Sequence, residues 1–340
     1  MKITYHTFNL HLKHTFTIAH DSRDVQPTLI VKLDDGEHTG LGEATSNPYY
    51  GVTIDNMIQS LEMARDIVEK GSYQSAEELW TAVHPVLLSN SFAQCALDEA
   101  AQDLFAKKKG VKLYENWGLS IGQIPMTNFT IGIDSIEKMV AKMKEMPWPI
   151  YKIKLGTDED LRIVEALRKN TDAIFRVDAN CAWTARQTID LAPKLRDLGV
   201  EFIEQPLAAG DIEGMKKVFS ACVLPVIADE SCIIESDVQK CQGLFHGVNI
   251  KLTKCGGPTA ALRMIAEAKR LGMKTMVGCM TETSVGISAI AHLLPLLDYV
   301  DMDGSLLISN DPADGVTFDF GKIIYADGNG SGAVLKSASE

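Results

Sequence analysis

The sequence predicts a closed α/β barrel joined to a smaller α+β domain. Residues 1 to about 120 begin as strands and continue as helices, and from about Pro125 short apolar β-runs alternate with helical stretches. No GxGxxG follows any early strand, so the competing doubly wound sheet lacks its phosphate-binding fingerprint. A chain of 340 residues with 46% hydrophobic composition exceeds one ordinary core. A barrel, however, can run past roughly 200 residues undivided, so one barrel and one smaller domain fit the length.

The opening β-type segments are Ile3 to Leu10, Thr28 to Leu33 and, after a DDGE turn, Thr39 to Gly42. Thr53 to Glu69, Ser75 to Leu88 and Phe92 to Lys109 then carry apolar residues at helical spacing, the last closing in KKKG, a basic final turn with a glycine stop. The barrel strands read TNFTIGI, PIYKIKLG, AIFRVDAN, EFIEQPL, PVIADES, GVNIKL, KTMVGCM and YVDMDG. Helical patterns between them include Glu159 to Lys169, Thr184 to Leu198, Gly257 to Leu271, and Ser284 to Leu294, where a proline interrupts. We divide the chain into a capping domain (1–120), a barrel (121–304) and a glycine- and turn-rich segment (305–340) expected to return to the cap. No low-complexity linker separates them, which predicts a packed interface.

A formal charge of -12, with 33 basic residues scattered among 45 acidic ones, argues against a nucleic-acid partner and for a small-molecule substrate. The opening MKITYHTFNLHLKH has no signal-like apolar run, and no segment offers the roughly 18 apolar residues of a membrane span. The expectation is a cytoplasmic protein without membrane contact. Seven cysteines (Cys95, Cys181, Cys222, Cys232, Cys241, Cys255 and Cys279) form no CxxC pair, as expected of reduced, packed thiols.

Charges at the C-terminal ends of barrel strands need a reason, because that end is the active-site face. Asp178, Glu204 and Asp229 close three successive strands at intervals of 26 and 25 residues. Singly, each could cap a helix or bind a loop. Three crowded carboxylates would repel unless a cation neutralised them, and an all-oxygen site suits Mg²⁺. Lys152 and Lys154, two residues apart, face the same side of the second strand, and Lys251 ends the sixth, across the barrel. An unpaired ammonium on a barrel strand is costly unless used. Two lysines opposed across a metal suit removal and return of a proton beside a carboxylate, with Mg²⁺ stabilising the enediolate.

These residues resemble the enolase superfamily, specifically its muconate-lactonizing subgroup, with KxK on the second barrel strand, metal-binding Asp, Glu and Asp on the third to fifth, and Lys on the sixth. The resemblance covers nearly the whole chain. It implies a TIM-type barrel in the modified (β/α)7β form, under an N-terminal α+β capping domain completed by the C-terminal tail. It also implies that Lys154 and Lys251 are the acid/base pair, that Lys152 neutralises the substrate carboxylate, that Asp178, Glu204 and Asp229 bind Mg²⁺, and that Asn180 and Glu230 flank these ligands.

The subgroup includes cycloisomerases, o-succinylbenzoate synthases, N-succinylamino-acid racemases and dipeptide epimerases. Asp301 and Asp303, in VDMDG near the last strand, look like the DxD pair with which dipeptide epimerases bind a substrate ammonium; the plain alternative is an acidic turn. The segment Gly278 to Ser288 also looks like that group, and Thr130 would turn polar groups toward the peptide. Side-chain selectivity is expected from the loops Phe16 to Asp24 and Asn47 to Gly51, with His20 a further contact candidate. In Ala-Glu epimerases an arginine in the first loop binds glutamate. Here Asp21 and Asp24 beside Arg23 could neutralise it, which favours a small neutral substrate such as Ala-Ala. The expected function is therefore a Mg²⁺-dependent, two-base dipeptide epimerase inverting the C-terminal residue, with a homo-oligomer as its candidate assembly. The alternatives are L-Ala-D/L-Glu epimerisation, another reaction of the subgroup, and a barrel retained as a binding or scaffold protein.

Overall fold

The computed structural model of the chain describes residues 1–337. The cap opens with a three-stranded antiparallel sheet of β1 (Lys2–Ile18), β2 (Asp21–Asp34) and β3 (Thr39–Thr45). The first hairpin is longer than its hydrophobic pattern suggests. Its register breaks between His11 and Phe16 and then resumes, pairing Phe16 with Arg23 and Ile18 with Asp21. Polar pairs hold this extension, Thr15 Oγ1 donating to Asp24 Oδ1 at 2.6 Å and Thr17 lying 2.9 Å from Ser22 Oγ. The segment expected as a loop, Phe16 to Asp24, is thus a hairpin tip turning at Ala19 and His20.

Three helices cover one face of this sheet: α1 (Ile54–Lys70), α2 (Ala76–Leu87) and α3 (Ser91–Lys109), followed by the short α4 (Leu113–Asn116). Thr53 caps α1 in a reciprocal box with Asn56, and Gly110 ends α3 at φ 70°, a left-handed position that favours glycine. Leu29, Val31 and Leu33 pack against Met57, Leu61, Leu97 and Leu104. β3 is an edge strand whose outward N–H groups need acceptors. Two carboxylates one turn apart on α3 supply them: Asp103 accepts from Leu41 N and Glu99 from Glu43 N, each at 2.9 Å.

The barrel follows as β4 (Phe129–Ile131), α5 (Ile136–Glu145), β5 (Ile150–Lys154), α6 (Asp160–Arg168), β6 (Ile174–Asp178), α7 (Ala185–Asp197), β7 (Val200–Glu204), α8 (Ile212–Ala221) and β8 (Val226–Ala228). It continues through α9 (Glu235–Cys241), β9 (Gly247–Lys251), α10 (Leu252–Cys255), α11 (Pro258–Arg270), β10 (Lys274–Gly278), α12 (Ser284–Ala291) and β11 (Tyr299–Asp301). The eight strands are parallel and neighbour one another in chain order, and a Thr127–Val300 bridge joins the first to the last. A single 3₁₀ turn, Gly304–Leu306, follows β11 in place of an eighth helix, giving the (β/α)7β form.

The C-terminal segment lies against both parts. Leu12 bridges to Ile308, Ser331 N donates to Asp103 at 2.7 Å, and Tyr325 Oη donates to Ala291 O on the barrel at 2.8 Å. Four short strands, β12 (Ala313–Asp314), β13 (Thr317–Asp319), β14 (Lys322–Ile324) and β15 (Val334–Leu335), pair as β12 with β15 and β13 with β14. No helix among the described residues is long and apolar enough to cross a membrane.

Candidate active site

Parallel register aligns the charged residues at the barrel rim. Lys154 pairs with Asp178 and Asp178 with Glu204, so these three side chains enter the barrel at one level. Gly278 pairs with both Lys251 and Asp301. A Cβ on Gly278 would stand 2.7 Å from Asn249 Oδ1, so the seventh strand stays bare where Asn249 crosses the barrel.

Asp178, Glu204 and Asp229 each offer a carboxylate oxygen, all within 4.8 Å of one another. Lys152 Nζ lies 3.2 Å from Asp178, 2.8 Å from Glu204 and 2.8 Å from Asp301. Lys154 pairs with Asp178, and Lys251 with Asp229, both at 2.7 Å. Burial alone would push the Lys152 ammonium down, but Asp301, Glu204 and Asp178 outweigh it and hold its pKa well above the usual value. Burial would raise Asp178, yet Lys154 and Lys152 hold it below the carboxylate range. Glu204, buried and facing Asp178, is pushed up to about 7.

The donor set fits a divalent cation. Four ammonium groups (Lys152, Lys154, Lys251, Lys254) face six carboxyls (Asp178, Glu204, Asp229, Glu230, Asp301, Asp303), leaving two negative charges uncompensated when all are ionised. Asn180 Oδ1 and Glu230 Oε2, beside the trio, are buried without a hydrogen-bond partner. Such oxygens suit a hard cation and its bound water. The backbone is also strained here: Asn180, Cys181 and Gln205 hold positive φ of 42°, 68° and 33°. Gln205 offsets this by accepting from Asp229 N at 2.9 Å and Ser231 N at 3.0 Å, which fixes the loop carrying Asp229.

A cavity of about 360 Å³ opens above the rim and brings together Lys152, Lys154, Asp229, Glu230, Lys251, Thr130, Asp301, Asp303 and Arg23. Asp301 Oδ1 accepts from Asn128 at 2.7 Å, and Asp303 accepts from Thr130 N at 2.5 Å. Burial and the neighbouring Asp301 push Asp303 up to about 7. Thr130 thus meets Asp303 through its main-chain N–H, with its side chain on the same carboxyl. Arg23 reaches the cavity over the Phe16 ring, donates to Gln26 Oε1 at 2.6 Å and lies 3.7 Å from Asp21. Asp24, weighed as a second neutralising partner, instead accepts from Thr15. His20 lines the same cavity, its ring 5.4 Å from that of Tyr49.

Three buried polar residues escaped the sequence reading: Asn128, Asn249 and Lys254. Asn249 donates to Glu204 at 2.8 Å, and Lys254 to Asp229 at 2.6 Å. Asn128 stands two residues before Thr130, and Asn249 two before Lys251, so the strand periodicity that groups Lys152 with Lys154 applies to both.

The chain matches two family models: the mandelate racemase/muconate lactonizing enzyme N-terminal domain over residues 2–118, and the enolase C-terminal domain-like family over residues 134–338. It is 58% identical, over 98% of its length and 100% of the relative, to an L-Ala-D/L-amino acid epimerase of Flavobacterium johnsoniae. Among solved structures it resembles the substrate-liganded L-Ala-D/L-Glu epimerase of Bacillus subtilis (TM-score 0.93, 27% identity, covering 98% and 99% of the two chains). It equally resembles a dipeptide epimerase of Cytophaga hutchinsonii solved with Mg and D-Ala-L-Val (TM-score 0.93, 26% identity, covering 100% and 97%).

Proposed function

Because this chain belongs to the enolase superfamily, with both the mandelate racemase/muconate lactonizing N-terminal domain and the C-terminal barrel, we propose that it is a Mg²⁺-dependent dipeptide epimerase. The observation that carries this reading is the placement of Lys154 on Asp178 and Lys251 on Asp229, on opposite flanks of the three-carboxylate cluster. Asp178, Glu204 and Asp229 would hold the ion. Bound there, it would supply positive charge for the substrate carboxylate and for the charge that develops on its oxygens.

The remaining work falls to side chains. One of Lys154 and Lys251 takes the α-proton as a free amine while the other, as ammonium, returns a proton to the opposite face. Lys152 is fixed by three carboxylates, so its role is electrostatic, steadying the substrate carboxylate end. Asp303, with Asp301 behind it, suits the α-ammonium of a free peptide, which aromatic acids and N-acylated amino acids lack.

For the inverted residue we favour a neutral side chain, Ala-Ala being the simplest case, because Gln26 and Asp21 already engage Arg23. One observation favours L-Ala-D/L-Glu as a second reading: Arg23 Nε is buried without a hydrogen-bond partner beside the cavity. A dipeptide library incubated in heavy water and read by mass spectrometry tests both. Deuterium should enter the C-terminal residue of free dipeptides, whereas none entering any dipeptide would refute the reading. The division at residues 120 and 304 belongs to the same proposal; the cap has an apolar cluster of its own, while Trp80 and Cys95 of the cap and Val316 of the last segment join that of the barrel. A cytoplasmic location does too, in keeping with seven free cysteines.

A further inference from the structure

Lys254 is the most enclosed cation of the rim, with a side-chain exposure of 0%, and the two-lysine chemistry makes no use of it. It stands on α10, three residues beyond Lys251. Its ammonium donates to Asp229 Oδ1 at 2.6 Å, Asp229 O at 2.5 Å and Cys232 O at 2.9 Å, with Asn249 O at 3.4 Å. An ammonium has three hydrogens, so all are committed to fixed acceptors and none is left for substrate.

The consequence falls on Asp229. Lys254 grips both its Oδ1 and its main-chain carbonyl, which fixes the carboxylate's rotation against its own backbone and aims Oδ2 at Lys251, 2.7 Å away. Asp178, beside the other acid/base lysine, is anchored differently: its Oδ1 accepts from the main-chain N of Asn180 at 2.9 Å. One lysine thus rests on a carboxylate whose second oxygen and carbonyl are gripped by Lys254, the other on a carboxylate whose Oδ1 is held by backbone and whose Oδ2 also meets Lys152 at 3.2 Å.

We infer that Lys254 is a positioning residue that orients Asp229, and through it Lys251, so that its loss weighs most on proton transfer at the face Lys251 serves. This rests on the two-lysine reading above. An arginine would keep the charge, but its planar fork cannot reproduce the grip on two atoms of one aspartate together with Cys232 O.

The test uses Lys254→Met and Lys254→Arg beside Lys251→Ala, all with saturating Mg²⁺. Exchange of the α-proton for solvent deuterium is followed for dipeptides of each configuration at the C-terminal residue, and crystal structures of the Lys254 variants report the Asp229 rotamer. The configuration silenced by Lys251→Ala identifies the face Lys251 serves. Lys254→Met is expected to slow exchange on that face roughly tenfold more than on the other, with Asp229 rotated. Lys254→Arg is expected to show the same bias at roughly threefold, and carries the test alone should the methionine variant not fold. Equal slowing of both faces, or full exchange with an unmoved Asp229, would overturn the inference while leaving the two-lysine reading intact. Equal exchange from both configurations in Lys251→Ala would overturn that reading, and this inference with it.

Discussion

Lys152 and Asp301 form an ion pair across the seam of the barrel, with Nζ of the second strand 2.8 Å from Oδ2 of the eighth. The pair gives Asp301 and Asp303 different partners. Asp301 also takes Asn128, whereas Asp303 is held by the main chain of Thr130. Asp303→Asn should raise KM for a free dipeptide roughly tenfold or more, a loss of at least about 1.4 kcal/mol of binding, with kcat within a few fold. Asp301→Asn should lower kcat as well, because it releases Lys152. Steady-state kinetics checks both, and N-acetylated dipeptides should be poor substrates of the parent enzyme. Equal turnover of free and N-acetylated dipeptide would contradict the ammonium site.

The metal assignment predicts a loss without unfolding. Glu204→Gln removes one ligand charge from the three-carboxylate cluster, and turnover should fall by roughly three orders of magnitude while circular dichroism stays that of the parent. Chelator should silence the parent and added Mg²⁺ restore it. Full activity in the variant or after chelation would exclude this centre.

Arg23 predicts selectivity. Partly engaged by Gln26 and Asp21, it should add little for a neutral residue and more for an acidic one. Arg23→Leu should leave kcat/KM for Ala-Ala within about threefold and lower it for Ala-Glu roughly tenfold or more. A parallel fall for both substrates would place Arg23 in the architecture of the hairpin tip instead.

A buried acid in the loop after the seventh barrel strand predicts a pH dependence of stability. Burial and the nearby Glu43 push Glu282 up to about 8. The folded state thus favours its protonated form, and stability is lost as pH rises from the unfolded value of about 4.5 toward 8, on the order of a few kcal/mol in all. Glu282→Gln should therefore gain stability over the parent progressively between pH 5 and pH 8, read as melting temperature. A constant difference across that range would contradict the shift.

Much of this architecture is legible in the sequence, because barrel strands alternate with helices and charges at strand ends interrupt apolar runs. The helix read from Thr53 to Glu69 is observed as Ile54–Lys70, within a residue at each end. The hairpin tip was not legible, because polar cross-strand pairs such as Thr15 with Asp24 carry it in place of an apolar stripe. Asn128 and Lys254 were hidden for another reason: buried polar groups are explained by their partners, and Asn128 finds Asp301 173 residues away.

If Lys154 and Lys251 act from opposite faces of one substrate carbon, α-proton exchange in heavy water will separate them. Lys154→Ala and Lys251→Ala are each given dipeptides of both configurations at the C-terminal residue, with and without Mg²⁺. Neither variant should epimerise, each should still exchange deuterium into one configuration, the two should prefer opposite configurations, and all exchange should require Mg²⁺. Epimerisation near the parent rate in either variant would contradict the two-lysine reading.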